Sequence, residues 1–246
     1  MQVDTQDIFG IPIANLSMEE TILLIESAIN NKQHIHHTVV NAGKIVSMQT
    51  DEKLAKSVLE ADLINADGQA VVWSSKLLNK PLKERVAGID LMENIIQLAH
   101  KNKYTVFFLG ATKEVLNKVI TEYSNKFSPE IIAGSYHGYF SPEEEESIAK
   151  KIAESKATIL LVAMSSPKKE IFLAKYKTFF DKVNFIMGVG GSFDVVSGKV
   201  KRAPKWMQNL GLEWFYRFYQ EPKRMWKRYL IGNTKFILLT LKNMIK

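Results

Sequence analysis

ATILLVAM, residues 157–164, is the stretch on which the fold turns. It is a near-continuous apolar run, too short to span a membrane, and it reads as a strand buried on both faces. TVFFLG (105–110) has the same character, and VNFIMGVGG (183–191) repeats it before a glycine turn. HIHHTVV (34–40) and DLINA (62–66) read as further strands, the second stopping on Asp67-Gly68. Helices fall between them. Ser17 and Glu20 form a capping box that opens an apolar-periodic helix through about Ala28. Ala42 to Gln49 reads as a short helix, and Asp90 with Glu93 as a second capping box whose helix runs to about Lys101. Thr112 caps another, Ser141-Pro142 puts proline at the first helical position of the next, and Pro167 begins one more. Buried strands alternating with helices predict an α/β fold, a mostly parallel sheet with helices on both faces.

Composition agrees. The 246 residues are 46% hydrophobic and 24% charged, as in an ordinary globular protein with a sizeable core. No cysteine is present, which excludes disulfides, thiolate catalysis and cysteine-based metal sites. The N-terminus MQVDTQDIFGIPI lacks a basic region followed by an apolar one, so no signal peptide is expected. ILLVAM (159–164) and FILLTL (236–241) are far shorter than a spanning helix. The expectation is a cytoplasmic protein whose membrane contact is peripheral.

Charge divides the chain. Residues 199–246 hold twelve Lys/Arg and two acidic residues, a net of +10 against +7 for the whole chain, so residues 1–198 are net −3. Three of the four tryptophans, Trp206, Trp214 and Trp226, lie in the same tail. Trp and Tyr favour the lipid headgroup level and Lys/Arg its anionic surface potential, so the expected partner is an anionic membrane surface and not nucleic acid. Pro204 and Pro222 each sit where a first helical turn would start. After Pro222, Lys223, Arg224, Lys227 and Arg228 fall on one arc, and Met225, Trp226, Tyr229 and Leu230 on the opposite one. The division predicted is a catalytic domain over 1–198 and a basic amphipathic appendage over 199–246.

Ligands of open parallel sheets bind beyond the carboxyl ends of the strands. There lie Asn41, Asp67-Gly68, Gly110-Ala111, Ser165-Ser166-Pro167 and Gly188 to Asp194. Glycines after apolar strands let an anion approach backbone N–H groups at helix N-termini. GVGGSFD (188–194) is not the dinucleotide fingerprint, because its third glycine directly follows the second. Asp67 is the candidate base, since a sugar hydroxyl needs a base to take its proton as the new bond forms. The competing role for Asp67 is N-cap of a helix starting near Gln69. No Asp-x-Asp pair is present to bridge a metal and a diphosphate, so no metal or other cofactor is expected. Cations and backbone donors would then stabilise the leaving group, and Arg202, Arg217, Arg224 and Arg228 are candidates. His34 and His36 share a strand face with His37 opposite, and no carboxylate or cysteine adjoins them in sequence.

ADGQAVVW (66–73), RVAGIDLM (85–92), GVGGSFDVVSGKVKRAPKWMQNLGLEW (188–214) and EPKRMWKRYL (221–230) together resemble the WecG/TagA/CpsF bacterial glycosyltransferases, glycosyltransferase family 26. The resemblance covers nearly the whole chain. It implies a Rossmann-like fold and an inverting, metal-independent transfer of a sugar (N-acetylmannosamine, its uronic acid or a related hexose) from a UDP-sugar. The implied acceptor is a polyprenyl-diphosphate-linked sugar on the inner face of the bacterial plasma membrane. The products feed teichoic acid linkage units, enterobacterial common antigen, capsules or exopolysaccharides. The family's catalytic aspartate falls on Asp67, its active-site asparagine on Asn41 and its arginine on Arg85. The basic C-terminal appendage, which docks on membrane and completes the site, corresponds to the tail. Two positions depart from the pattern: Val39, beside Thr38, stands where threonine is frequent, and Lys169 replaces a polar amide in Ser165-Ser166-Pro167-Lys168-Lys169-Glu170.

These readings converge on a membrane-associated glycosyltransferase. The UDP-sugar is expected at Gly110-Ala111 and at Gly188, Gly190 and Gly191, with Asp194 on the uridine and Thr38, Gly68 and Lys169 nearby. Two alternatives stand against it. An NAD(P)-dependent oxidoreductase would need the fingerprint that GVGGSFD lacks, and a nucleic-acid binder using the tail would show a steep salt slope and no need of Asp67. The residues leave a homo-oligomer open.

Overall fold

A computed structural model describes residues 3–244, save the side chains of Arg224, Lys227 and Arg228. A hairpin, β1 (Thr5–Ile8) and β2 (Ile11–Ala14), leads into α1 (Met18–Asn30). Then follow β3 (Ile35–Val40), α2 (Ala42–Met48), α3 (Glu52–Leu59), β4 (Leu63–Ala66), α4 (Gln69–Leu77), α5 (Gly88–Asn102) and β5 (Val106–Gly110). Next come α6 (Lys113–Lys126), β6 (Ile132–Tyr136), α7 (Glu145–Glu154), β7 (Ile159–Ala163), α8 (Lys168–Lys175) and β8 (Phe185–Gly188). The chain ends in α9 (Ser192–Val196), α10 (Lys205–Asn209), α11 (Glu213–Gln220), α12 (Pro222–Trp226) and α13 (Gly232–Met244).

The six longer-range strands form one parallel sheet in the order β4-β3-β8-β7-β5-β6. Alternation along each strand feeds two cores. In β5, Val106 and Phe108 face one side while Phe107 and Leu109 face the other; in β7, Ile159 and Leu161 oppose Leu160 and Val162. This is the doubly covered sheet that the apolar runs predict. The chain leaves β5 toward β6 and β7 toward β8, in opposite directions, a topological switch point of the kind beside which ligands of such sheets bind.

Two helix starts differ from the sequence expectation. Ala87 precedes α5 without a side-chain cap, so Asp90 and Glu93 form no capping box. Asp90 is drawn to Arg202, and Glu93 accepts from the Tyr123 hydroxyl and the Lys126 ammonium. Helix α7 begins at Glu145 and not at Pro142, because the Glu144 carboxylate takes the Ser141 N–H and holds the preceding residues in a turn. The box at Ser17 and Glu20 and the N-cap at Thr112 form as expected.

Pro204 and Pro222 open tail helices as predicted. Between α12 and α13, however, Lys227–Ile231 form a π-helical turn. That turn shifts the angular phase, so the expected apolar arc does not stay together. Met225 is buried, while Trp226 and Leu230 are exposed. Helix α13 lies on the body: the Phe236 ring meets Phe9 edge-on at 5.7 Å, and Thr240 Oγ1 is 2.9 Å from Ser74 Oγ. Phe236 thereby joins the core built from β1, β2, α2 and α4. Phe236→Ala is expected to destabilise the protein by about 3–5 kcal/mol, the usual cost of emptying an aromatic site. Urea unfolding measures it, and an unchanged midpoint would mean that α13 is not docked.

Candidate active site

The ends of β3 and β4 lie side by side, and the Asp67 N–H donates to the Val40 carbonyl at 2.9 Å. This register places Asn41 against Asp67-Gly68. A Cβ built on Gly68 would lie 3.4 Å from the Asn41 Cβ, so glycine allows close approach there. Gly68 is the N-cap of α4, without a side-chain cap bond. Asp67 is therefore not the cap of α4. Its Oδ1 instead accepts the Gly88 N–H at 2.9 Å, at the start of α5. Among the described residues Oδ2 has no hydrogen-bond partner. Burial pushes the Asp67 carboxyl above its ordinary value. The Gly88 N–H and the Arg85 and Lys44 charges oppose that shift, and Glu213 adds to it.

Asn41 caps α2, its Oδ1 accepting the Lys44 N–H at 3.1 Å. Thr38 is buried on β3 and accepts from the Lys44 ammonium at 3.4 Å. Lys169 is buried too, and its Nζ lies 3.2 Å from Glu170 Oε1. A Cβ on Gly188 would fall 2.5 Å from the Lys169 Cε, so the glycine that ends β8 makes room for that lysine. The cation that departs from the family pattern is thus packed beneath the glycine turn.

The other glycines shape backbone. Gly110 has φ +125°, and a Cβ there would meet the Ala163 carbonyl oxygen at 2.4 Å. Ala111 follows in the left-handed region, its N–H donating to that same carbonyl at 3.0 Å. Gly190 has φ +54°, which turns the chain from β8 into α9. Asp194 stands in the first turn of α9, where its Oδ1 pairs with the Lys199 ammonium at 3.1 Å.

The tail closes one side of this ground. Arg202 grips Asp90 through two bonds of 2.6 and 2.7 Å and reaches Glu213 at 3.3 Å. Glu213 in turn holds Arg85 at 2.7 Å. Arg85 and Arg202 therefore share a carboxylate from α11. Arg217 lies against Gly191, where a Cβ would be 2.7 Å from one of its terminal nitrogens. Its Nε is buried with no hydrogen-bond partner among the described residues. Arg224 and Arg228 have side chains outside the described residues. Trp206, Trp214, Phe215, Tyr219 and Trp226 are exposed on the tail.

Sequence reasoning passed over Lys44 and Glu213, and it used Glu170 only as part of a motif. Nothing in their spacing marks them, because each acts across the fold. The histidines are structural: burial holds His37 down to about 3 and its Nε2 lies 3.0 Å from Asn65 Oδ1. Burial likewise lowers His36, to about 4. Among the described residues no group of three or more His, Asp or Glu is placed to hold a metal, and no helix is long and apolar enough to cross a membrane.

The profile of the Glycosyl transferase WecG/TagA/CpsF family matches residues 6–246. The chain is 35% identical over 241 residues to an N-acetylglucosaminyldiphosphoundecaprenol N-acetyl-beta-D-mannosaminyltransferase of Bacillus subtilis, covering 98% of this chain and 92% of the relative. It is 40% identical over 183 residues to a protein of the same name from Bacillus spizizenii, covering 74% and 69%.

Proposed function

The chain belongs to the WecG/TagA/CpsF glycosyltransferase family, and from that premise we propose that it moves an N-acetylmannosamine-type sugar from a UDP-sugar to a polyprenyl-diphosphate-linked N-acetylglucosamine, with inversion. The observation that carries the reading is Asp67: a carboxylate at a strand end, fixed by a helix N-terminal N–H, with one oxygen left to accept a proton. In the step proposed, Oδ2 takes the proton of the acceptor hydroxyl. The oxygen forms its bond to the anomeric carbon from the face opposite the phosphate. The bond from that carbon to the phosphate oxygen breaks, and UDP leaves with the electron pair. Asp67 then releases its proton to solvent.

The names of the Bacillus relatives support the acceptor and the mannosaminyl group. The glycine turns after β5 and β8 suit a nucleotide diphosphate approaching backbone N–H groups. Arg217, with a terminal nitrogen against Gly191 and a buried Nε without a hydrogen-bond partner among the described residues, suits the phosphate charge. The exposed aromatic side chains and the basic excess of residues 199–246 suit an anionic membrane, reached as a peripheral protein on the inner face. The proposed division of labour is a body over 1–198 that holds the donor and a tail over 199–246 that brings the acceptor.

The test is UDP release from a panel of UDP-sugars with a short-chain polyprenyl-diphosphate-N-acetylglucosamine acceptor. UDP-N-acetylmannosamine is expected to be the preferred donor, with full turnover after EDTA treatment. Loss of activity restored by Mg²⁺ or Mn²⁺ would contradict the metal-free step. Absence of turnover with every UDP-sugar would end the reading.

A further inference from the structure

Lys44 touches more of the proposed site than any residue named so far. Its backbone N–H donates to Asn41 Oδ1 at 3.1 Å, and its ammonium donates to Thr38 Oγ1 at 3.4 Å and to Glu170 Oε1 at 3.0 Å. One side chain on α2 therefore ties the end of β3 to the start of α8. The side chains of Lys44 and Glu170 are 9% and 3% exposed. Lys169 shares the same Glu170 oxygen at 3.2 Å, while Glu170 Oε2 is buried with no hydrogen-bond partner among the described residues.

That arrangement is a poor device for stability. Desolvating three charges costs more than one shared carboxylate oxygen returns, and apolar packing would serve the fold as well or better. Two ammoniums against one carboxylate leave a surplus positive charge in a dry site. Of these three charges Lys44 acts on Asp67, after the larger effects of the Gly88 N–H, Arg85 and Glu213. We infer that Lys44, held by Glu170, is a positioning residue for the transfer: it fixes Thr38 and Asn41 at the end of β3 and adds its charge to the Gly88 N–H and Arg85, which favour the ionised form of Asp67. The inference rests on the reading of Asp67 as that base. In support, burial and the Lys169 charge bring Lys44 down to about 8 against the pull of Glu170. Burial would raise Glu170, but Lys169 and Lys44 outweigh it and hold the carboxyl at about 2.

The experiment titrates Asp67 directly by ¹³C-carboxyl NMR, with its resonance identified by its loss in Asp67→Asn. Lys44→Gln keeps a hydrogen-bond donor and removes the charge. The Asp67 midpoint is expected to move to higher pH, and kcat below that midpoint to fall about 10–100-fold with a smaller change in KM. Lys44→Arg is expected to restore both. Glu170→Gln removes the counter-charge while leaving both lysines, so the midpoint is expected to move the opposite way, to lower pH. A merely structural role would lower thermal stability in these variants without opposite shifts. An unmoved midpoint in Lys44→Gln, or shifts of the same sign in Lys44→Gln and Glu170→Gln, would overturn the inference. Undiminished turnover of Asp67→Asn would instead remove the base reading, while the titration still decides the charge coupling.

Discussion

Asp67→Asn is expected to lower kcat by about 10²–10⁴-fold, the usual worth of a positioned general base. The fold should survive, because an asparagine oxygen can still accept the Gly88 N–H that Oδ1 now takes. Donor binding should survive as well, since the change is isosteric. The pH profile follows from the same residue. Burial raises the Asp67 carboxyl from its ordinary value of 3.8. Activity needs the ionised form, so turnover should fall as pH drops through that raised value, and the acid limb should vanish in the variant. Rapid-quench measurement of kcat, alongside UDP-sugar binding by calorimetry, separates the two roles. Near-normal turnover would take Asp67 out of the mechanism.

Arg217→Ala is expected to cost about 10²–10³-fold in kcat, the range for removing one preorganised donor to a developing negative charge. The guanidinium rests on Gly191 with its Nε buried and unpartnered among the described residues. Such a nitrogen is costly to the free enzyme and is compensated when an anion arrives. Little stability should be lost, since no ion pair of Arg217 exists among the described residues to break. Arg202 differs: it is committed to Asp90 and Glu213, so its removal should loosen the docking of α11. The readout is turnover on a soluble acceptor analogue together with thermal unfolding. Full activity of Arg217→Ala on that analogue would leave the arginine no part in the chemistry. Deleting residues 199–246 outright is a blunter test, because it also strips Met225 and Phe236 from the core.

The strands were legible because burial on both faces leaves no room for polar residues. ATILLVAM and TVFFLG stand out for that reason, and the structure places β7 and β5 inside them. The N-terminal hairpin and the edge strand β6 were not. The hairpin turns on Phe9 and Gly10, both at positive φ, without the Asn-Gly or Asp-Gly signature of such turns. Strand β6 at the sheet edge is only half-buried and carries glycine and serine, so its pattern is diluted. The box at Ser17 and Glu20 forms even though Lys83 also binds the Glu20 carboxylate, while Asp90 lies inside the first turn of α5 and not at its N-cap. Ser17 and Glu20 close on each other, whereas Asp90 is drawn across the fold to Arg202.

The sequence by itself determined the parallel α/β class, the carboxyl-end location of Asn41, Asp67 and the glycine turns, and the concentration of positive charge in the tail. These follow from periodicity, spacing and composition, which are local properties of a chain. Only the tertiary structure decided where the charges go. Glu213 links Arg85 to Arg202, Lys44 joins Thr38 to Glu170, and Asp67 caps α5 in place of α4. Those pairings join residues up to 128 positions apart, as in Arg85 with Glu213. No spacing rule reaches that far, because which charges meet depends on how helices and strands pack, and packing is set by the whole core at once.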